Sequence, residues 1–171
     1  MSIADQQKRP KAADLVGAGL TLCVFAAEAF IDVSAPAWLS ALAVGLLLLV
    51  PLFVFLPFRT LARHGRPPEG GPFFATTRVV DKGVYRVVRH PQYVGYTLLA
   101  LGFGARNPHW MVIGLASGAA GFFYLQAVME ERYCRREWGP TYEAYMSQVP
   151  RFNFLAGLFG IVRERLTRVG S

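Results

Sequence analysis

Two cysteines are all that the 171 residues contain, and they cannot build a disulfide scaffold. Cys23 lies inside an apolar stretch and reads as a packing residue. Cys134 lies in a polar stretch on the expected cytoplasmic side, where a thiol stays reduced, and no activating base for it stands out. Histidine is nearly as scarce. His64, His90 and His109 are dispersed, none in a Cys/His spacing that would hold zinc, so no metal site is expected. No glycine-rich loop follows a strand-like run, which removes the phosphate cradle of soluble nucleotide-binding domains. Internal repeats and low-complexity tracts are absent. Acidic residues number 11 against 18 Lys and Arg, for a net charge of +7. A basic chain raises the question of nucleic acid, but these charges flank apolar runs and form no basic helix of their own, so no nucleic-acid partner is expected.

Charge is missing from long stretches of the chain. Residues 38–58 hold none across 21 positions, enough to cross a hydrocarbon core about 30 Å thick. Residues 15–31 are apolar except for Glu28, and residues 110–129 are uncharged. Residues 92–105 are uncharged too but number only 14, a short or tilted crossing when joined to the polar turn that follows. The expected fold class is therefore all-α: a polytopic integral membrane protein of about four transmembrane helices, one domain over residues 1–171. Of the 18 Lys and Arg residues, 17 fall on one side of these spans, and only Arg106 falls in an outer turn. The positive-inside rule then puts both termini and the 59–91 loop in the cytoplasm, in a membrane of the bacterial inner type. The excess positive charge reads as attraction to anionic headgroups, making membrane lipids the expected partners. Asp14 at the start of the first span, with no small-residue cleavage site after it, marks a retained span.

Proline and glycine punctuate the chain. Residues 32–37 make an outer turn. Pro51 and Pro57 are expected to kink or end the second span. Residues 65–72, GRPPEGGP, form a loop, and residues 73–82 have room for brief extended structure. Pro91 suits the first turn of the third helix. Asn107-Pro108-His109 turns the chain. The fourth span carries Gly114, Gly118 and Gly121, and the Gly114–Gly118 spacing puts small residues on one face, a packing signal first and a cofactor-facing groove second. The fourth helix is expected to continue past the lipid to Arg135 and to stop at Gly139-Pro140. A short helix over 141–148 follows. Residues 152–169, apolar then basic, suit a C-terminal interfacial helix.

Two polar clusters border the spans. The first is Gly83-Val84-Tyr85-Arg86-Val87-Val88-Arg89-His90-Pro91-Gln92-Tyr93-Val94-Gly95, just before the third span; the second is Glu130-Glu131-Arg132, just after the fourth. Two apolar segments separate them, so both return to one side of the membrane. Arginine offers bidentate contact to carboxylate or phosphate. Histidine donates or accepts, and tyrosine adds ring area and a hydroxyl. Glu130 and Glu131 are adjacent and point to different sides of a helix, so they form no paired acid/base site. A belt of aromatic and basic side chains at headgroup level accounts equally for the first cluster, and a solvated helix end for the second.

The segment GVYRVVRHPQYVGY at 83–96 resembles the signature of the isoprenylcysteine carboxyl methyltransferase and phospholipid N-methyltransferase family. The likeness continues through Asn107-Pro108, Glu130-Glu131-Arg132, Gly139, Tyr142, Tyr145 and Val149-Pro150-Arg151, so residues 76–152 form the family-like catalytic core. Relatives often carry a longer acidic run, a leucine where Cys134 stands, and Phe-Gly plus a polar residue where this chain has Trp138-Gly139-Pro140. The resemblance implies an integral membrane enzyme that binds S-adenosylmethionine on the cytoplasmic side without a soluble Rossmann-type domain. It implies a cofactor pocket of Gly83, Tyr85, His90, Tyr93, Gly95, Glu130 and Glu131. It places Arg89 and His90 at the chemistry, with Arg89 facing or orienting the substrate.

The expected function is methyl transfer from S-adenosylmethionine to a lipid-like acceptor, with a phospholipid amine preferred. An isoprenylcysteine carboxylate or a small hydrophobic thiol fits the same pocket. Two other classes stay open: an NADPH-dependent membrane reductase of the sterol type, which shares an RHPxYxG-like segment, and a nonenzymatic membrane assembly factor. No residue is uniquely placed as a general base.

Overall fold

The structure is a computed structural model that describes residues 11–65 and 76–169. Among the described residues every regular element is helical: α1 (Lys11–Phe30), α2 (Ala37–His64), a 3₁₀ turn (Gly83–Arg86), α3 (Pro91–Arg106), α4 (Trp110–Gln148) and α5 (Phe154–Val169). The all-helical expectation holds. The expected loop at 65–72 lies largely outside the described residues, and 76–82 is irregular.

Local chemistry explains the helix ends. The Leu39 and Ser40 amides donate to the Pro36 carbonyl at 2.9 and 3.0 Å, starting α2. Pro91 opens α3, where its missing N–H costs nothing. Gly139, at φ 49° and ψ −129°, breaks α4, and residues beyond it form a separate helical stretch ending at Gln148. The sequence places the stop correctly there, since a positive φ is cheap only for glycine. Pro51 and Pro57 do not end α2, which runs on to His64. Each proline removes one hydrogen bond, and in apolar surroundings the remaining backbone groups have no better partner than the helix.

By length and composition, α2 and α4 are able to cross a membrane; the apolar stretches Gly19–Phe30 and Phe154–Arg163 are shorter, and α3 has 16 residues. Two of the four expected crossings thus have helices of sufficient length.

The described chain forms two compact units, one from residues up to Leu47 with Thr97–Gln126, the other from Leu48–Tyr96 with Ala127 onward. The core of the first is built from small side chains. Val24, Ala43, Ala100, Val112, Ala116 and Ala119 are all buried, which lets helices approach closely. Phe25 and Phe103 add an edge-to-face ring pair at 4.5 Å. Glu28, the charge that interrupted the first apolar run, is answered by Arg106 at 2.9 Å. The buried Asn107 ties the turn after α1 to the turn after α3: its amide donates to the Ile31 carbonyl, and its oxygen accepts from the Val33 amide at 3.3 Å.

Two packing expectations are corrected in this unit. Gly114, Gly118 and Gly121 are exposed, and no described atom lies within 4 Å of where their β carbons would stand. The buried face of α4 is instead Val112, Ala116, Ala119 and Phe123. Both sets recur every three or four residues, so spacing alone does not say which one packs. Cys23 is exposed on α1, beside the buried Val24.

The second unit holds the end of α2, the 76–90 segment, the start of α3, the end of α4, and α5. Phe53 of α2 meets Phe154 of α5 edge-on at 5.1 Å. Arg78 donates from Nε to the His64 carbonyl at 2.6 Å, placing a cation on the negative end of α2. Cys134, Tyr142, Tyr145 and Val149 form a buried cluster with Val79, Trp138 and Met146 packed against it. The break at Gly139 makes this cluster possible by folding the 141–148 helix back toward residues 134–138.

Candidate active site

The second unit brings the two polar sequence clusters together. The 3₁₀ turn begins at Gly83, whose φ of 57° requires glycine, and a β carbon there would come 2.8 Å from the Thr60 hydroxyl. Tyr145 donates its hydroxyl to the Tyr85 carbonyl at 2.6 Å, fixing the far end of that turn. Burial raises the Tyr145 pKa, so the phenol stays a neutral donor. The Arg89 amide then donates to the Pro150 carbonyl at 3.0 Å and the His90 amide to the Arg151 carbonyl at 3.4 Å. Two consecutive residues before α3 are thereby laced to two consecutive residues before α5. Arg89, His90 and Arg151 end up around one point.

That point is Glu131, which is 3% exposed. Arg151 grips its carboxylate with two bonds, Nε to Oε1 at 2.9 Å and Nη2 to Oε2 at 2.6 Å. Arg89 Nη1 stands 3.0 Å from Oε1, and His90 Nε2 stands 3.3 Å from the same oxygen. The uncharged stretch of α4 ends at residue 129, so this cluster lies just past it. Burial pushes the Glu131 carboxyl up, but the hydrogen bonds from His90 and Arg151 and the Arg89 charge outweigh it and hold the pKa at about 2. Glu131 is an ionised hub whose lone pairs are committed to Arg89, Arg151 and His90.

Glu130 is placed differently. Its side chain is 24% exposed, and its Oε2 accepts from the Tyr93 hydroxyl at 3.0 Å and lies 4.0 Å from His90 Nδ1. The Tyr93 ring stacks on His90 at a centroid distance of 5.8 Å, and Tyr96 tilts against Tyr93 at 6.5 Å. Gly95 is buried, and a β carbon there would come 3.2 Å from Phe53 and Val54. Its visible work is close packing of α3 on α2.

The side chain of Arg89 is 9% exposed, and its Nε and Nη1 make no hydrogen bond although Nη1 is within ion-pair distance of Glu131. Glu131 already meets the charge of this buried guanidinium, but the undirected N–H groups leave donor capacity for a further acceptor. The set therefore offers a receiver for a carboxylate or phosphate, a half-open carboxylate for hydroxyls or a cation, and stacked rings for a flat or cationic group. S-Adenosylmethionine carries a carboxylate, an ammonium, a ribose diol, an adenine and a sulfonium, and these side chains fit that chemistry.

Sequence reasoning did not assign Arg151 a role at the site, although it stood at the end of the resembling stretch. Two carboxylates beside a buried stretch demand more cations than Arg89 alone supplies, and that demand was the available signal.

Residues 38–141 match the profile of the phospholipid methyltransferase family. Among curated proteins, the chain is 36% identical over 73 residues to a protein-S-isoprenylcysteine O-methyltransferase of Schizosaccharomyces pombe, covering 42% of this chain and 31% of that protein. The chain thus spans about a third of the length of the relative it matches. No solved structure matches it significantly.

Proposed function

The chain belongs to the phospholipid methyltransferase family, and from that premise we propose that it transfers the methyl group of S-adenosylmethionine to a phospholipid amine at a membrane surface. The observation that carries this reading is the Arg89 guanidinium, buried with undirected N–H groups on the same Glu131 carboxylate as His90, whose ring stacks on Tyr93 beside the half-open Glu130. When bound, S-adenosylmethionine supplies a methyl group made electrophilic by its sulfonium. Glu130 and Tyr93 would receive its hydroxyls or ammonium, with the His90 and Tyr93 rings alongside and Gly83 and Tyr85 forming the preceding wall. Glu131 acts one step removed: it holds Arg89, His90 and Arg151 in place. Arg89 would receive the phosphate of the acceptor and set the amine in line with the methyl group, a gain of proximity and orientation.

Arg89→Ala is expected to weaken methyl transfer by roughly 1.5–3 kcal/mol of transition-state stabilisation while leaving cofactor affinity near that of the wild type. Arg89→Lys should recover part of the loss, since it restores charge without the bidentate fork. Calorimetry with S-adenosylmethionine and labelled-methyl transfer to phosphatidylethanolamine, in one membrane preparation, measure the two quantities. Equal losses in both would move Arg89 into the cofactor pocket. A second reading, O-methyl transfer to an isoprenylcysteine, is supported by the likeness to the Schizosaccharomyces pombe enzyme. Transfer to an isoprenylcysteine and none to the lipid amine would select it.

We also propose four crossings with both termini cytoplasmic and the site on that side. Exposed Trp38 and Trp110, at the starts of α2 and α4, support a headgroup-level boundary there. Single cysteines at 135–145 should be labelled only from the cytoplasmic face, and those at 32–36 only from the other. Labelling of 135–145 from outside would overturn the topology.

A further inference from the structure

α5 is longer than its hold on the protein. Of its described residues Gly157 alone is buried, with Phe154 and Ile161 half-buried. It is seated through the Phe154 ring on Phe53 and through Gly157 against the Val87 carbonyl, and its first turn is capped by Asn153, whose side chain accepts from the Ala156 amide at 3.0 Å. A helix of 16 residues is marginal in water by itself and draws its stability from burying an apolar face. The apolar face of α5 is the outer one. Leu155, Leu158, Phe159, Val162 and Leu166 are exposed, and at 100° per residue they form one stripe turned away from Gly157. Left in water, that stripe gives the helix nothing to hold it.

Depth sets the partner. Phe154 packs on Phe53, which lies inside the uncharged run 38–58, six residues before Arg59. At a helical rise of about 1.5 Å per residue, Phe53 stands about 9 Å along α2 from its first charge. Exposed Leu48, Leu52, Phe55 and Leu56 make an apolar stripe on the same stretch of α2. α5 therefore starts at the depth of acyl chains and meets its first charge only at Arg163, nine residues on. An apolar face sunk about 5–10 Å, with basic residues after it, is the geometry of a helix at the boundary between headgroups and acyl chains.

We propose that the outer face of α5 is inserted among the acyl chains of the bilayer, and that this lipid contact holds Arg89 and His90 in place. The link is short. The Pro150 and Arg151 carbonyls, just before α5, accept the Arg89 and His90 amides, and Gly157 sits on Val87, two residues before Arg89. Lipid cover keeps α5 seated on Val87 and both bonds made. With the stripe drawn into water, α5 lifts and residues 87–90 lose that support. The proposal rests on α2 crossing the membrane and does not depend on which methyl donor or acceptor the protein uses.

The test uses the full chain in nanodiscs of phosphatidylethanolamine and phosphatidylglycerol. Cys23 is exposed and is replaced by serine, while Cys134 is buried. Single spin labels at Leu48→Cys, Phe159→Cys, Val162→Cys and Thr167→Cys are compared for collision with dissolved oxygen and with a water-soluble nickel chelate. Labels at 48, 159 and 162 should favour oxygen, and the label at exposed Thr167, off the stripe, should favour the chelate. Water-accessible labels at 159 and 162 beside a lipid-accessible label at 48 would overturn the insertion. A water-accessible label at 48 would overturn the α2 crossing on which it rests. Dipolar broadening between copies labelled at 159 would make a second copy the occupant and overturn the assignment to lipid. Hydrogen exchange reads the link to the site. Phe159→Asp/Val162→Asp should speed exchange of the Arg89 and His90 amides by about tenfold or more, with residues 112–123 unchanged. Thr167→Asp should exchange as the wild type does. Unchanged exchange at 89 and 90 in the stripe variant, equal acceleration in Thr167→Asp, or acceleration spread equally over 112–123 in the milder Phe159→Ser/Val162→Ser would overturn the link.

Discussion

Glu131→Ala is expected to be the most damaging single substitution in the site. It would leave Arg89, His90 and Arg151 converging on an empty point, with the Arg89 side chain 9% and the His90 side chain 6% exposed. Breaking a buried ion pair by deleting one partner costs about 3–5 kcal/mol, because the surviving charge is neither solvated nor paired. Thermal unfolding in detergent should show that loss, and methyl transfer should vanish with the geometry of Arg89. Glu130→Ala makes the contrast. Its carboxylate is half-open, so stability should change little while S-adenosylmethionine affinity falls. The hub also predicts a pH response. The folded Glu131 pKa of about 2 lies below its ordinary 4.5. The carboxylate therefore contributes its full stability above pH 4.5 and loses it as pH falls toward 2. Glu131→Gln should flatten that acid limb. A Glu131→Ala protein that melts and turns over like the wild type would remove the hub.

Gly157→Ala is the second large effect. Gly157 is buried on α5, and a β carbon there would overlap the Val87 carbonyl. A backbone carbonyl cannot rotate aside like a flexible side chain, so the first turns of α5 must lift away from residues 87–90. Overpacking of this kind costs about 1–3 kcal/mol. The functional loss should exceed what stability alone explains. Val87 is two residues before Arg89, and a displacement near 1 Å at a reacting centre can cost on the order of a hundredfold in rate. Gly160→Ala, one turn on, meets open space and should be neutral or stabilising by up to about 1 kcal/mol from helix propensity alone. Equal melting temperatures and activities for the two variants would show that α5 is not seated on Val87.

These two positions differ in how visible they were before folding. Glu131 stood out as half of a carboxylate pair after an apolar run, but nothing in the local pattern said that it, and not Glu130, turns inward. Arg151, its strongest partner, lies 20 residues away along the chain. The pairing depends on the amides of Arg89 and His90 finding the carbonyls of Pro150 and Arg151, a long-range match without a local signature. Gly157 looked like any glycine in an apolar segment. Gly114 and Gly118 looked more like packing residues than Gly157 did, yet they face outward.

The sequence by itself determined the helical class, because uncharged runs of about 20 residues, twice the length of a membrane strand, satisfy their own backbone as helices when water is absent. It also determined the turn at Asn107-Pro108 and the break at Gly139-Pro140, and it put Arg89, His90, Glu130 and Glu131 in two short polar motifs beside apolar runs. The tertiary structure decided the rest: which face of each helix is buried, that α2 continues through two prolines, that Arg106 answers Glu28, and that Glu131 gathers two arginines and His90 while Glu130 stays half-open. Those outcomes depend on residues far apart in the chain competing for the same buried space and the same lone pairs, and a local pattern carries no record of that competition.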